Sequence, residues 1–321
     1  MIKIPKNRIA IFPSKPRDTC NLLVLKLKER KIIHSKFYRL ENFLEEGDLV
    51  IVNNTKVIPA RILGKKETGG KVDVLFIRKI DDRKFNALLK GKNVKKFFVK
   101  GFKINVLSKG KFFVLEVENG DIDTLLKKHG KMPLPPYISR EPIEKDKNYY
   151  NSIFAKVEGS IAAPTASLHF TKRVIKKLLN KGIKIKELTL HVGPFTFLDN
   201  KEDEDIIKEY YEIPEDTLEE ILKTKEKGKR IISVGTTVTR ALETWGINKK
   251  RQGYTDLIIK PGFKFNTTDI LLTNFHLFNL SPILLTLAFV KDKKLLEKAY
   301  REALKRNYRF FSYGDAMLIL P

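Results

Sequence analysis

The hydrophobic period of this chain changes once along its length, and that change limits the folds open to it. From about residue 58 to 118 apolar residues alternate with polar ones. Residues 71–77, 96–99, 103–107 and 111–117 read as short strands, separated by Gly69-Gly70, Asp81-Asp82, Gly101 and Lys109-Gly110. Short strands with regular turn signals make a small barrel or sandwich. Beyond Gly159 strands and helices take turns. Strands are predicted at 183–192, 230–234, 255–260, 270–272 and 316–320, and helices at 172–181, 216–227, 236–245 and 292–306. That alternation defines an α/β layer, whose ligands sit at the carboxyl ends of the strands. Near the start, 22–27 and 48–52 read as strands and 41–46 as a short helix. Asp121 opens a helix that stops at Gly130, and the three prolines within 132–137 exclude regular structure there.

A length of 321 residues gives a prior of about two domains. Lys and Arg number 63 against 38 Asp and Glu, a net charge of +25, which points to a polyanionic partner such as nucleic acid. A lysine-rich surface without such a partner explains the same excess. Cys20 is the single cysteine, which rules out a disulfide framework or a cysteine zinc site and fits a reducing compartment. The amino-terminal residues lack the apolar core of a signal peptide, and the longest apolar run, 280–290, is too short to span a bilayer. A soluble, cytoplasmic protein is expected.

The stretch 159–171 is small and nearly uncharged in a chain otherwise full of lysine. Small residues such as Ala163 allow close backbone approach, Pro164 fixes one φ and removes one donor, and Thr165, Ser167 and His169 place polar groups among apolar neighbours, as in a ligand pocket. Thr171 reads as the N-cap of the following helix. A tight turn packed under that helix accounts for the same residues equally well. Polar residues also gather just after predicted strands: His191 and Gly193; Gly235, Thr236 and Thr237; Thr273, Asn274 and His276. Together with the 159–171 loop they form a candidate crevice of hydroxyls, one amide and three imidazoles. Each histidine serves equally well as a hydrogen-bonded structural residue. No two have helical i, i+4 spacing and no cysteine cluster supports them, so no metal site is expected. Glycine-rich dinucleotide and phosphate-loop signatures are absent, as is the Gly-x-Ser-x-Gly of a hydrolase.

Several blocks of the chain resemble the signature segments of the S-adenosylmethionine:tRNA ribosyltransferase-isomerase family. They are Ala-Ala-Pro-Thr-Ala-Ser-Leu-His-Phe-Thr at 162–171, Leu-Thr-Leu-His-Val-Gly at 188–193, Val-Gly-Thr-Thr at 234–237 with Arg240, and Leu-Thr-Asn-Phe-His-Leu at 272–277. Tyr-Arg-Phe-Phe-Ser-Tyr-Gly-Asp-Ala-Met at 308–317, the stretch from Gly47 to Arg61 and Pro-Leu-Pro-Pro-Tyr at 133–137 belong to the same set. The blocks keep the family's order over nearly the whole chain. The resemblance implies a larger α/β domain with an inserted small β-barrel domain, divided as 1–57 with 155–321 and 58–154.

It also implies an activity in queuosine synthesis. The ribosyl group of S-adenosylmethionine is transferred and isomerised onto 7-aminomethyl-7-deazaguanine at the tRNA wobble position, giving epoxyqueuosine-tRNA, adenine and methionine. S-adenosylmethionine is then a consumed substrate, no cofactor is implied, and a monomer is expected. His169, His191 and His276 become candidates for the proton transfers. Ala163, Pro164, Thr165, Gly193, Thr236, Thr237 and Asn274 are candidates for holding substrate, and Lys56, Arg61, Arg240 and Arg309 for meeting tRNA phosphates.

The chain departs from the family pattern in places. About five residues, histidines among them, are missing before the Tyr-Tyr-Glu-Ile-Pro run at 210–214. Residues 193–197 read Gly-Pro-Phe-Thr-Phe in place of Gly-x-Gly-Thr-Phe. Phe278 and Leu280 replace proline and serine, Asn21 replaces arginine, and Val238 replaces serine. A non-catalytic tRNA-binding relative and a different S-adenosylmethionine-dependent RNA-modifying enzyme therefore stay open as alternatives.

Overall fold

The structure is a computed structural model and describes residues 2–110, 112–194, 208–277 and 281–321. In chain order the strands begin with β1 (Asn21–Lys26), β2 (Lys31–Lys36), β3 (Leu49–Asn53) and β4 (Thr55–Val57). Six more follow: β5 (Arg61–Lys65), β6 (Lys71–Lys79), β7 (Lys84–Lys90), β8 (Lys96–Val99), β9 (Phe102–Ser108) and β10 (Phe113–Val117). The rest are β11 (Val157–Ser160), β12 (Lys184–Leu190), β13 (Glu209–Glu212), β14 (Ile231–Val234), β15 (Gln252–Thr255), β16 (Ile270–Asn274) and β17 (Ala316–Leu320). The helices are α1 (Ile122–His129), α2 (Asp146–Tyr149), α3 (Lys172–Asn180), α4 (Glu215–Glu226), α5 (Thr236–Asn248), α6 (Ser281–Val290) and α7 (Lys293–Lys305).

Nine strands form one sheet in the order β15–β13–β12–β3–β14–β16–β17–β1–β2. The central run β12, β3, β14 and β16 is parallel. β17 is antiparallel to β16 and parallel to β1. β3, β14 and β16 are buried at every position and largely apolar, because helices cover both faces. In β3, Val50 and Val52 join a core with Phe37, Phe170, Val174 and Leu178, while Leu49 and Ile51 face Val238, Leu242 and Trp245 of α5. In β1, Leu22 and Val24 face the first of these cores, and Leu23 and Leu25 pack with α6 and α7.

β5 to β10 close into a barrel in the order β10–β7–β6–β5–β8–β9. Val72, Val74, Phe85, Ala87, Phe97, Val99, Ile104, Leu115 and Val117 fill it, alternating along their strands as the period-two reading requires, and Ile122 and Leu125 of α1 close one opening. The α/β architecture with a closed six-stranded barrel thus agrees with the expected fold class. The returning segment takes a different side. Met132, Leu134, Ile138 and Tyr150 pack with Ala10, Val57, Ala163, Leu168 and Tyr313.

Several local expectations change. The short helix expected at 41–46 is instead a 3-10 segment, Phe37–Phe43, which buries Phe37 and Leu40. The helix expected from Asp216 starts at Glu215 with Pro214 as N-cap, so Asp216 caps nothing and pairs with Lys186 at 2.6 Å. The strand expected at 255–260 ends at Thr255, whose Oγ1 accepts from the Leu257 N–H at 3.2 Å and turns the chain. β5 and β7 complete the barrel but carry weak alternation signals. Residues 281–290, read only as an apolar run, form the buried helix α6. Thr171, by contrast, caps α3 as expected.

Gly130, where the chain leaves α1 and the barrel, has an ordinary φ of −65° but no room for a side chain. A Cβ there would lie 2.0 Å from the Pro59 carbonyl oxygen and 2.4 Å from that of Leu126, both backbone. Gly228 has open space and a left-handed φ of +63°. Gly130→Ala should therefore cost about 3 kcal/mol or more, against about 1 kcal/mol for Gly228→Ala. Equal losses in urea denaturation would contradict the backbone clash.

Candidate active site

The carboxyl ends of β12, β3, β14 and β16 lie along one edge of the sheet, so the residues that follow them meet there. Asn53, at the end of β3, is fully buried and fixes this edge. Its Nδ2 donates to the Leu190 carbonyl at 2.9 Å and to Thr237 Oγ1 at 3.3 Å. Its Oδ1 accepts from the Leu190 and Thr55 N–H groups, each at 3.1 Å. One side chain thus links β3, β12, β4 and the first turn of α5. Gly235 precedes that turn with φ +90° and lies where a Cβ would come 3.3 Å from Ala166 Cβ, so the 162–170 turn packs directly on it.

The three histidines occupy different environments. His169 ends the 3-10 turn Thr165–His169 and is 4% exposed. Asn274 Nδ2 donates to its Nε2 at 3.1 Å, which leaves the proton on Nδ1, 3.3 Å from Cys20 Sγ. Both ring nitrogens are occupied, and Phe37 packs on the ring with centroids 5.2 Å apart. Burial, reinforced by the Arg309 and Arg17 charges, pushes its pKa down to about 3. His276 Nε2 lies 2.7 Å from Thr273 Oγ1, and burial lowers its pKa to about 4. Its backbone is clamped by Tyr300, whose hydroxyl accepts from the His276 N–H at 2.8 Å and donates to its carbonyl at 3.2 Å.

His191 is half-buried. Its Nδ1 meets Thr55 Oγ1 at 2.8 Å; Thr55 Oγ1 meets Ser160 Oγ at 2.6 Å; and Ser160 Oγ accepts from the Val192 N–H at 2.8 Å. The ring stacks on Tyr210, with centroids 5.9 Å apart. Its other face lies against Gly159, where a Cβ would sit 2.7 Å from the ring. Burial lowers its pKa. Among the described residues, Nε2 of His191 has no hydrogen-bond partner within the chain.

Asn274 also donates to the Phe311 carbonyl at 3.2 Å, and its Oδ1 is buried with no partner among the described residues. Ala163 and Pro164 are buried, whereas Thr165, Thr236 and Thr237 are half-buried. The Gly193 N–H donates to Glu209 Oε1 at 2.7 Å, and Glu209 pairs with Arg240, whose Nε donates to the Leu257 carbonyl at 2.8 Å. The four cations proposed for tRNA lie on separate elements, and each is engaged within the chain. Lys56 meets Glu158 at 2.9 Å on the surface, and Arg61 grips Asp73 across β5 and β6, with Nη2 at 2.8 Å. Arg240 is half-buried and pairs with the buried Glu209, and Arg309 donates to Ser14 and to the Phe12 carbonyl.

Asn53, Thr55, Glu209 and Tyr210 were not among the residues expected at this edge. Asn53 and Thr55 carry the same signal as the expected residues, polar groups just after a strand, here the one at 48–52. Of the departures, Asn21 joins Asp315 and Lys36: its Nδ2 donates to Asp315 at 2.9 Å and its Oδ1 accepts from Lys36 at 2.7 Å. Val238 is fully buried against the β3–β12 face. The shortened stretch before Lys208, residues 195–197, Phe278 and Leu280 lie outside the described residues. Among the described residues no group of three His, Cys, Asp or Glu side chains converges as a metal site.

An edge of parallel strands, with imidazoles and amides projecting from it and a barrel leading off β4, is the frame of an α/β enzyme. Residues 2–319 match the family described as "Queuosine biosynthesis protein", and the chain belongs to that family. A Sulfurihydrogenibium protein named S-adenosylmethionine:tRNA ribosyltransferase-isomerase is 46% identical over 99% of this chain and 97% of its own length. The protein of that name from Aquifex aeolicus is 45% identical, over 99% and 98%. The crystal structure of S-adenosylmethionine tRNA ribosyltransferase from Thermotoga maritima superimposes with a TM-score of 0.59 at 34% identity, covering 99% of both chains. The chain is accordingly an enzyme of this type.

Buried His169 makes stability depend on pH. Unfolded, it binds a proton below about pH 6.5; folded, it stays neutral until about pH 3. The unfolded state therefore gains protons first as pH falls, and stability is lost between these values at about 1.4 kcal/mol per pH unit. Urea denaturation of the wild type and of His169→Gln between pH 6 and 4 should give a shallower slope for the variant. Parallel slopes would remove His169 as the source.

Proposed function

We propose that this chain transfers and isomerises the ribosyl group of S-adenosylmethionine onto 7-aminomethyl-7-deazaguanine at the wobble position of tRNA, releasing adenine and methionine. The observation that carries the reading is end-to-end kinship, at 44 to 46% identity, with enzymes named for this reaction. S-adenosylmethionine is consumed as substrate, and the enzyme acts as a cytoplasmic monomer. The division of the chain into 1–57 with 155–321 and an inserted 58–154 belongs to the same proposal. No helix among the described residues is long and apolar enough to cross a membrane.

The sulfonium of S-adenosylmethionine acidifies the adjacent ribose carbon. A neutral imidazole with a free nitrogen can take that proton, adenine leaves, the deazaguanine amine bonds to the sugar, and methionine departs as the epoxide closes. Of the three histidines, His191 suits the first step. Its Nε2 is free of partners within the described chain and its ring is only half-buried, whereas both nitrogens of His169 are occupied, and burial pushes the pKa of His276, whose Nε2 meets Thr273, down to about 4, a weaker base. The contacts allow two directions, and the one in which Nδ1–H donates to Thr55 and the Thr55 hydroxyl to Ser160 is the tautomer the proposal requires, because it leaves the lone pair on Nε2. The lowered pKa keeps the ring neutral at physiological pH. His169 and Asn274 form the rigid wall, Thr236 and Thr237 offer hydroxyls and helix N–H groups to the ribose or adenine, and Glu209 with Arg240 sets the Gly193 backbone.

The test is free adenine, measured by chromatography after incubation with S-adenosylmethionine and tRNA carrying the aminomethyl-deazaguanine. Release that depends on the modified base is expected. Transfer of a methyl group, or RNA binding with neither product, would replace the reading with one of its alternatives. His191→Ala should lower kcat by about 10²- to 10⁴-fold. Thr55→Val should lose about tenfold or more, with an altered pH profile, and Thr55→Ser should restore both. A Thr55→Val enzyme with wild-type kcat would separate Thr55 from the chemistry.

A further inference from the structure

Beside the histidine edge, the structure forms an open groove of about 470 Å³ whose walls include Arg17, Lys56, Lys147 and Lys172, with Asn148, Asn151 and Ile153 between them. The four cations come from four separate segments: the turn before β1, β4, α2 and the start of α3. Arg17 is the unusual member. It is half-buried, and its guanidinium is held by the carbonyls of Asn148, Asn151 (2.8 Å) and Leu168 (3.5 Å). No carboxylate pairs with it among the described residues, and burial lowers its pKa. A cation fixed in place, partly desolvated and without a counter-ion, is a preformed anion receptor.

The lysines around it are available. Lys172 is exposed and without an ion pair among the described residues. Lys147 and Lys56 meet Glu144 and Glu158 at 2.8 and 2.9 Å, but these pairs are exposed and worth about 1 kcal/mol at most, so a phosphate can replace the carboxylates. Ile153, 44% exposed, gives the wall an apolar surface suited to a ribose or base.

The groove shares its walls with the site. Lys56 follows Thr55, which holds His191, and Thr171 lies two residues after His169. Leu168, whose carbonyl holds Arg17, directly precedes His169.

We propose that this groove receives the phosphodiester backbone of the substrate RNA beside the nucleotide that enters the histidine crevice. The proposal rests on the ribosyl-transfer reading and adds the surface that docks the tRNA. Arg17 is the fixed contact, Lys56, Lys147 and Lys172 are adjustable ones, and none reads base identity.

The test compares two double variants of the full chain. Lys147→Gln with Lys172→Gln removes two groove cations. Lys227→Gln with Lys229→Gln removes the same charge after α4, at the opposite, amino edge of the sheet. Binding of unmodified tRNA is followed by fluorescence anisotropy from about 50 to 200 mM salt. The groove variant should bind about tenfold more weakly, with the slope of log K against log salt reduced by about two. The control should bind as wild type, and equilibrium dialysis should show unchanged S-adenosylmethionine binding in both. Wild-type affinity in the groove variant, or equal losses in the two variants, would overturn the docking surface and leave the reaction standing. A wild-type chain that binds no tRNA would overturn both.

Discussion

The side-chain amide of Asn53 holds the working edge together. It uses two donors and two acceptor positions, all satisfied, to tie the end of the central strand to both backbone groups of Leu190, to the Thr55 N–H and to Thr237. Three regions distant in sequence acquire fixed relative positions through one buried residue. Lost partners would leave strand-end amides unpaired in the interior, at about 1 to 3 kcal/mol for each group. The geometry of Thr55 and therefore of His191 follows from it. So does the start of α5, whose hydroxyls face the same crevice.

Burial then sorts the imidazoles. His169 is enclosed by Cys20, Phe37 and Asn274 and is kept neutral by desolvation, with Arg309 and Arg17 adding to the effect. His276 is set by its own strand and by Tyr300. His191 lies between Gly159 and Tyr210 with one nitrogen supported and one open. Three residues of one type thus occupy an enclosed wall, a strand end and a half-open position beside the loop. The difference comes from what each ring touches.

Much of this was legible in the sequence. The period-two alternation marked the barrel because its strands face a closed interior on one side only. Val72 and Val74 are buried while Lys71 is exposed and Asp73 half-buried. The alternating elements after Gly159 marked the α/β sheet, and Thr171 and Asp292 marked helix starts. Other features depend on contacts between distant segments and leave no local trace. β13 exists through its pairing with β15 and β12, and α6 is helical although its apolar run has no period. The helix expected from 216 begins one residue earlier, with Pro214 as its N-cap. At the site, residue type singled out the three histidines. Their ranking came from Thr55 and Cys20, more than a hundred residues away in sequence from the rings they touch.

β17 lies between β16 and β1, so residues 316–320 separate the amino-terminal hairpin from the rest of the sheet. During synthesis the barrel strands pair with near neighbours in sequence and can close as soon as residue 117 has emerged. The sheet cannot: its first strand has no partner on that side until almost three hundred residues later. Asn21 and Asp315, joined through backbone and side chain at 2.8 and 2.9 Å, meet only then. The order of assembly open to a chain emerging from the ribosome is therefore barrel first and complete sheet last.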